Sequence, residues 1–270
     1  MKRNLELAEN RAGVSRRYRF VSVSAALVLM LTWALELGVG EAQAAPIQLG
    51  AEHEEYLQPL PPQYQAGAES DDSLPAQHIE WFPVPNWMAG TWAKQGDTED
   101  SAVNLQNGQQ LGQPVFIPNA NSLSFGHQLD SKGTVWHAEI LPFRTDGFGG
   151  KTEDRRYVTQ MQCITNNIQQ VVLKTRSFVT SIDLKKKKVR GSKQQDEIIA
   201  FQPLDSQHVE TVSSTRSYSA QGQALVQSRS HTTRTRVAQF VPIPVLNGID
   251  LRRSLADYFQ QHNWAYLIPQ

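Results

Sequence analysis

The chain has 270 residues, with 26 basic and 26 acidic side chains, so its formal net charge at neutral pH is zero. This balance provides no large positive field, which argues against a nucleic-acid-binding protein. Its single cysteine, Cys163, excludes an intramolecular disulfide, so the fold has to be stabilised by its hydrophobic core, where Cys163 is expected to pack as a small apolar residue.

The amino-terminal segment has the features of an export signal. Three arginines, Arg16, Arg17 and Arg19, precede an apolar run over residues 20–35. This run is shorter than the ~20 residues that a membrane span usually needs. A small-x-small cleavage pattern ends at Ala44, so residues 1–44 are predicted to be a signal peptide cleaved near Ala44. The mature chain would then reach the periplasm, a thylakoid lumen or the extracellular space.

Two alternatives concern this segment. The pair Arg16-Arg17 hints at a twin-arginine signal, but Arg19 stands where a hydrophobic residue is usual, which favours the ordinary secretory route. In the other alternative the segment stays uncleaved and anchors the protein in a membrane. Residues 1–44 hold six basic and four acidic side chains, so the remainder of the chain carries a net charge of −2.

Residues 45–80 have the composition of a flexible tail rich in Pro and Gln. The stretch 58–65 contains three prolines and three glutamines, which favours extended polyproline geometry. The acidic stretch 69–72 has no apolar side chain to bury. We therefore predict a flexible or loosely draped segment, and a lid over a cavity mouth is the alternative.

The ordered domain is predicted to span residues 81–270 and to begin with a dense apolar cluster. Its members are Trp81, Phe82, Trp87, Met88 and Trp92. Each contributes on the order of 2–3 kcal/mol when fully buried, so the cluster requires a core. Pro83 and Pro85 exclude a continuous helix, which predicts a helical turn over 86–89 and a strand from Thr91.

Period-two alternation and β-branched residues predict a series of strands after this cluster. The predicted strands are 134–141, 156–164, 170–184, 197–202, 209–218, 224–230 and 232–241. Short links with turn residues, at 130–133, 165–167, 190–192 and 220–222, predict antiparallel neighbours and exclude a doubly wound α/β fold.

One helix is predicted near the carboxyl end. Asp250 is placed to cap it, and Leu251, Leu255, Tyr258 and Phe259 recur at helical spacing. The chain is therefore predicted to be all-β, an antiparallel up-and-down β-barrel of about eight strands with a C-terminal α-helix. The alternative is an open β-sandwich, because periodicity does not distinguish the two.

The segment 87–92, Trp-Met-Ala-Gly-Thr-Trp, resembles the opening of the lipocalin-like (calycin) barrels. In that superfamily a helical turn leads into Gly-x-Trp at the start of the first strand. The resemblance implies that Gly90 and Trp92 belong to a structural plug at the closed end. It also implies that an arginine of the last strand, here Arg234 or Arg236, packs on the Trp92 ring.

The same order of parts extends over residues 86–262, including a helix on the barrel wall. The opening also resembles uncharacterised lipocalin-like proteins of cyanobacteria and plastid lumens. This likeness implies that the barrel binds a small hydrophobic or amphipathic molecule, such as a lipid, pigment or quinone. We expect the cavity above the plug to be lined by Trp136, Tyr157, Met161 and Phe178.

A hydroxyl-rich strand face suggests a polar side to this cavity. Thr211, Ser213, Thr215 and Ser217 share one face of their predicted strand. They either line a water-containing interior or face solvent, and the sequence leaves both open.

Other functions remain as alternatives. The protein would instead be an interaction or assembly module of an envelope or thylakoid-lumen complex, docking through its N-terminal tail or C-terminal helix. Enzyme activity on this scaffold is the third possibility, although no complete catalytic signature is present, and we expect no cofactor and no metal. A zinc site would require His137, His208 and His231 to converge from separate strands.

Overall fold

The computed structural model describes residues 50–71 and 73–269. The predicted signal peptide, its cleavage site at Ala44 and the first residues of the predicted tail lie outside the described residues. The remaining chain is mostly β-structure, with one α-helix near its carboxyl end.

An eight-stranded antiparallel sheet forms the body of the protein. In spatial order its strands are β3 (Val115–Phe125), β2 (Gly90–Asn104), β11 (Ala224–Gln239), β10 (His208–Ser219), β9 (Lys188–Pro203), β8 (Val171–Asp183), β7 (Thr152–Asn166) and β6 (Phe143–Gly149). Consecutive strands pair from β6 to β11, and β11 then pairs with β2. This curled half-barrel confirms the all-β, up-and-down prediction with about eight strands.

A separate three-stranded sheet contains one strand that precedes the large sheet in the chain and two that lie between its edge strands β3 and β6. It consists of β1 (His78–Val84), β5 (Val135–Leu141) and β4 (Gln128–Leu129). The edge strands β3 and β6 do not pair with each other among the described residues. Both β1 and β5 contact β7, so the small sheet packs beside the opening that the edges leave.

The closed end of the half-barrel contains the main hydrophobic core. Trp92 is 1% exposed and packs among Met88, Phe125, Phe201 and Val209. These residues come from the turn before β2 and from β3, β9 and β10, so the apolar cluster predicted near residue 90 joins distant strands at one end of the sheet.

The predicted C-terminal helix is present as α1 (Leu251–Gln261), after the short hairpin of β12 (Val245–Leu246) and β13 (Ile249–Asp250). The Asp250 carboxylate accepts a hydrogen bond from the backbone N–H of Arg253, which confirms its capping role. Leu251, Leu255 and Phe259 are buried in a second core. No helix in the described ranges is long and apolar enough to cross a membrane.

The strands differ from the predicted ones in several places, and β1 and β3 are absent from the prediction. The predicted link 190–192 lies inside β9, because the hairpin turn falls at 184–187. The two predicted strands 224–230 and 232–241 form one strand, β11, with register shifts opposite β2. The glycine-rich stretch around Gly147, which is not among the predicted strands, pairs with β7 as β6.

Residues 50–71, hereafter the strap, lie along the outer face of the sheet. Leu57 and Leu60 are buried, and their backbone N–H groups donate to Gly222 and Ala220 at 3.0 and 2.8 Å. Burial of the two leucines and formation of these backbone hydrogen bonds offset the conformational entropy that the segment loses when it becomes ordered.

Candidate functional site

A cavity of about 450 Å³ occupies the interior of the curled sheet. Side chains from all eight strands of the large sheet line it, together with His137 and Glu139 of β5. Such a volume matches the lower range of small-molecule sites, which makes this interior the candidate binding site.

The pleat of the strands decides which side chains face the cavity. On β9, Glu197, Ile199 and Phe201 line it, whereas the alternate residues Asp196 and Ile198 are buried under the strap on the outer face. The same alternation on β10 turns hydroxyls inward. The hydroxyl residues on this wall are Thr211, Ser213, Thr215 and, from β11, Ser230.

The cavity lining combines apolar and polar side chains. Phe125, Met161, Leu173 and Phe201 belong to the core that surrounds Trp92. The rest of the lining contains the hydroxyl wall and charged side chains, and Thr211 lies beside Phe201 in the pairing of β9 with β10. A molecule with an apolar body and a polar end therefore matches both kinds of side chain.

Most charges inside the cavity are paired. Lys94 forms an ion pair with Asp97, and Arg156 lies 3.4 Å from Glu197. On β5, His137 Nε2 lies 3.2 Å from Glu139. Paired charges cost less to bury than isolated ones, so the Lys94–Asp97 and Arg156–Glu197 contacts add no excess of either sign to the cavity.

Arg234 is the exception. Its side chain is 5% exposed, and Nη1 donates to the Asn121 amide oxygen at 3.0 Å. Its Nε has no hydrogen-bond partner, and among the described residues it makes no ion pair. Burial lowers the pKa of Arg234, an effect that the nearby Asp97 and Glu197 oppose. A buried cation that has no carboxylate at ion-pair distance favours an anionic ligand group.

A second unpaired polar atom lies on the same cavity wall. The Thr211 hydroxyl is buried and has no hydrogen-bond partner in the structure. Buried polar groups are nearly always satisfied by protein, water or ligand. Arg234 Nε and Thr211 Oγ1 therefore provide two sites at which a ligand would find a donor.

The base of the cavity is held by Trp92 and Arg236. The guanidinium carbon of Arg236 lies 4.1 Å from the Trp92 ring centroid, and Trp92 Nε1 donates to the Met88 carbonyl at 2.7 Å. Arg236 also donates to the carbonyls of Ala89 and Trp87, the latter at 2.6 Å. Of the two arginines expected to pack on Trp92, Arg236 makes the contact and Arg234 faces the cavity.

Gly90 is required at this junction because its backbone lies against β11. Its φ is +124°, and an added Cβ would lie 2.6 Å from the Ala238 carbonyl oxygen and 2.8 Å from Arg236 Nη1. A side chain would therefore push apart the first and last strands of the large sheet.

Of the four residues predicted to line the cavity, Met161 does so. Trp136 instead packs against α1, with its ring 5.0 Å from that of Phe259. Tyr157 and Phe178 stack at 4.7 Å on the outer face, where strap residues including Leu60 cover them. Alternation from Met161 wrongly places Tyr157 inside, because β7 has a bulge between Val158 and Gln160 that exchanges its faces.

The histidines do not converge on a metal site. His208 and His231 lie at the surface and contact Asp205 and Asp100, at 2.9 and 2.8 Å, whereas His137 is buried on β5. Within the described ranges no group of three or more His, Cys, Asp or Glu side chains could hold an ion. The converging histidine site considered from sequence is therefore not formed by these three residues.

Comparison with known proteins provides no relative from which to transfer a function. No protein-family model, no curated protein and no solved structure matches this chain. A function for this chain therefore has to be inferred from the geometry of the cavity.

Proposed function

We propose that this chain is an exported, lipocalin-like protein that binds a small amphipathic molecule with an acidic head group inside the curled sheet. The observation that carries the proposal is the cavity of about 450 Å³ in which Arg234 Nε and Thr211 Oγ1 lack partners. The carboxylate or other anionic end would bind Arg234, and the apolar body would lie toward Met161 and Leu173.

Two further features support this proposal. The contact between Trp92 and Arg236 has the form that the lipocalin-like resemblance implies for a barrel base. The amino-terminal export signal indicates a destination outside the cytoplasm, where a carrier of poorly soluble molecules would meet its ligand.

The test compares two ligands that differ in the head group alone, decanoic acid and decanol, by calorimetric titration of the purified chain. We expect decanoic acid to bind more tightly. The R234Q variant should lose at least tenfold in affinity for the acid, about 1.4 kcal/mol, and show little change for the alcohol. T211V, which removes the hydroxyl at constant shape, should weaken binding less.

R253Q provides the matched control, because Arg253 lies on the exposed side of α1. No binding of either compound, or equal affinities in wild type and R234Q, would contradict the proposal. Native mass spectrometry of protein from its own host addresses the alternative of an assembly module, since a retained small molecule supports the carrier and a co-purified protein supports the module.

A further inference from the structure

A second cluster of reactive side chains lies on the opposite face of the same wall, beneath the strap. His53 of the strap approaches two outward-facing residues of the sheet. His53 Nε2 lies 2.8 Å from Ser214 Oγ, and His53 Nδ1 lies 3.2 Å from Asp196 Oδ2. The side chains of His53 and Asp196 are 4% and 0% exposed, and Ser214 is 3% exposed.

This connectivity is that of a serine nucleophile, its general base and an orienting carboxylate. With the proton of the neutral imidazole on Nδ1, His53 donates to Asp196 and its Nε2 is free to accept the Ser214 proton. Burial alone would raise the pKa of Asp196, but the His53 hydrogen bond and Lys174, 3.4 Å away, hold it below its ordinary value. The carboxylate is thus available as an anion to orient the imidazole.

A pocket of about 330 Å³ adjoins the cluster and gives it access to a small molecule. Ser214, His53, Gln227 and Arg229 are among its lining residues. Gln227 Nε2 lies 3.4 Å from Ser214 Oγ, and Arg229 is paired directly opposite Ser214 in the β10–β11 register.

Arg229 is exposed and has no hydrogen bond or ion pair within the described part of the chain. The Arg229 guanidinium and the Gln227 amide are therefore the donors available for an oxyanion that develops beside Ser214.

We propose that Ser214, His53 and Asp196 form a nucleophilic site that hydrolyses small carboxylic esters, separate from the cavity inside the sheet. Ser214 Oγ attacks the ester carbonyl carbon while its proton passes to His53 Nε2. The tetrahedral adduct collapses with cleavage of the bond to the alkoxy oxygen, which leaves as the alcohol with the proton from His53. Water, deprotonated by His53, then attacks the acyl-serine, releasing the carboxylic acid and returning the proton to Ser214 Oγ.

The strap is essential to this site because it supplies the base. Ser214 and Asp196 are on neighbouring strands, but neither strand carries a histidine that reaches them. The neighbouring Ser213 faces the cavity and bonds Ser230 at 2.9 Å. Ser217, three residues after Ser214 on the same strand, lines neither that cavity nor the pocket beside Ser214, so it provides the control hydroxyl.

The experiment uses the full chain with p-nitrophenyl acetate as substrate and a fluorophosphonate as covalent probe. We expect wild type to hydrolyse the ester and to gain one phosphonyl group, which peptide mapping by tandem mass spectrometry places on Ser214. S214A should lose the adduct and about 10³-fold of the enzymatic rate, whereas S217A should keep both.

H53Q separates catalysis from anchoring, because a glutamine keeps a hydrogen-bonding side chain beneath the strap but is not a base. Its rate should fall at least 100-fold with little change in thermal unfolding. The proposal is overturned if wild type gains no adduct, if the adduct maps to another residue, or if H53Q retains the wild-type rate. The three side chains would then only anchor the strap.

Discussion

The guanidinium of Arg236 on β11 packs over the indole of Trp92 on β2, 4.1 Å from guanidinium carbon to ring centroid. The two residues are direct partners in the register of these strands, so one stacked pair joins the first and last strands of the large sheet. Trp92 also packs in the cluster that contains Phe125 and Phe201, which line the candidate binding cavity. The stability of this junction can be tested without knowledge of any ligand.

R236K is expected to lower the free energy of unfolding by about 2 kcal/mol. Lysine keeps the charge but loses the planar stack and the fork that donates to the carbonyls of Trp87 and Ala89. Urea denaturation followed by tryptophan fluorescence measures the change. The same substitution at exposed Arg253 should cost less than about 0.5 kcal/mol, and equal losses at the two positions would contradict a special role for Arg236.

Gly90→Ala is expected to destabilise the chain more than alanine at another glycine with positive φ. Gly133 has φ +82° and open space around a would-be Cβ, so G133A reports backbone strain alone, about 1 kcal/mol. G90A adds a collision with the Ala238 carbonyl and Arg236, which we expect to raise the loss to about 3 kcal/mol or more. Thermal unfolding followed by circular dichroism measures both losses. Similar losses for G90A and G133A would show that β11 moves away from the added methyl group with no cost in free energy.

Acidification should destabilise the protein through His127. This side chain is 8% exposed, and its Nδ1 accepts a hydrogen bond from the Ala138 backbone N–H at 2.9 Å. Burial, aided by the neighbouring His137, lowers the pKa of His127 to about 4. The unfolded chain, with a pKa near 6.5, then binds more protons than the folded chain as the pH falls from about 6.5 to about 4. Stability is therefore lost over that window, by up to about 3 kcal/mol.

H127N is the control for this pH dependence, because asparagine retains an acceptor for the Ala138 N–H and does not titrate. Carboxylates contribute alike in both proteins, so the difference between their stability curves isolates His127. Guanidinium denaturation from pH 7 to pH 4 should show the wild type losing more stability than the variant. Parallel curves would exclude His127 as the titrating group.

The strap should contribute measurable stability through Leu60. This residue is 6% exposed and packs with Tyr157 and Phe178 on the outer face of the sheet. L60A should cost about 2–3 kcal/mol, a usual loss for a buried leucine. Leu74, 39% exposed, is the matched control, and L74A should cost less than about 0.5 kcal/mol. Equal, small effects in chemical denaturation would mean that the strap adds nothing to folding.

The sequence predicted those elements whose local pattern is complete. Alternation identified β8 and β10, and the Asp250 cap with its spaced leucines identified α1. Local pattern failed where pairing partners decide the outcome. The bulge of β7 places Tyr157 on the face of the sheet opposite to the predicted one. The glycines of β6 have low strand propensity, so this strand was not recognised, and its pairing with β7 stabilises it.

The candidate sites were harder to predict from the sequence than the strands, because they are formed by contacts between residues that are distant in the chain. The unpaired state of Arg234 is set by which carboxylates pair elsewhere in the cavity, and no nearby residue in sequence reports it. His53 and Ser214 are 161 positions apart, so their contact could not be read from spacing. The alternation of hydroxyl residues on β10 was predicted from the sequence, and the structure shows that Thr211, Ser213 and Thr215 face the cavity.

The pairing of β2 with β11 also determines when the chain can finish folding. Gly90 is the Cα partner of Gln239, so the wall is incomplete until nearly the whole domain has been synthesised. Long-range pairings of this kind slow folding, because a large loop loses its entropy before the contacts form. A chain that is still being synthesised would therefore stay incompletely folded and accessible to chaperones until β11 pairs with β2.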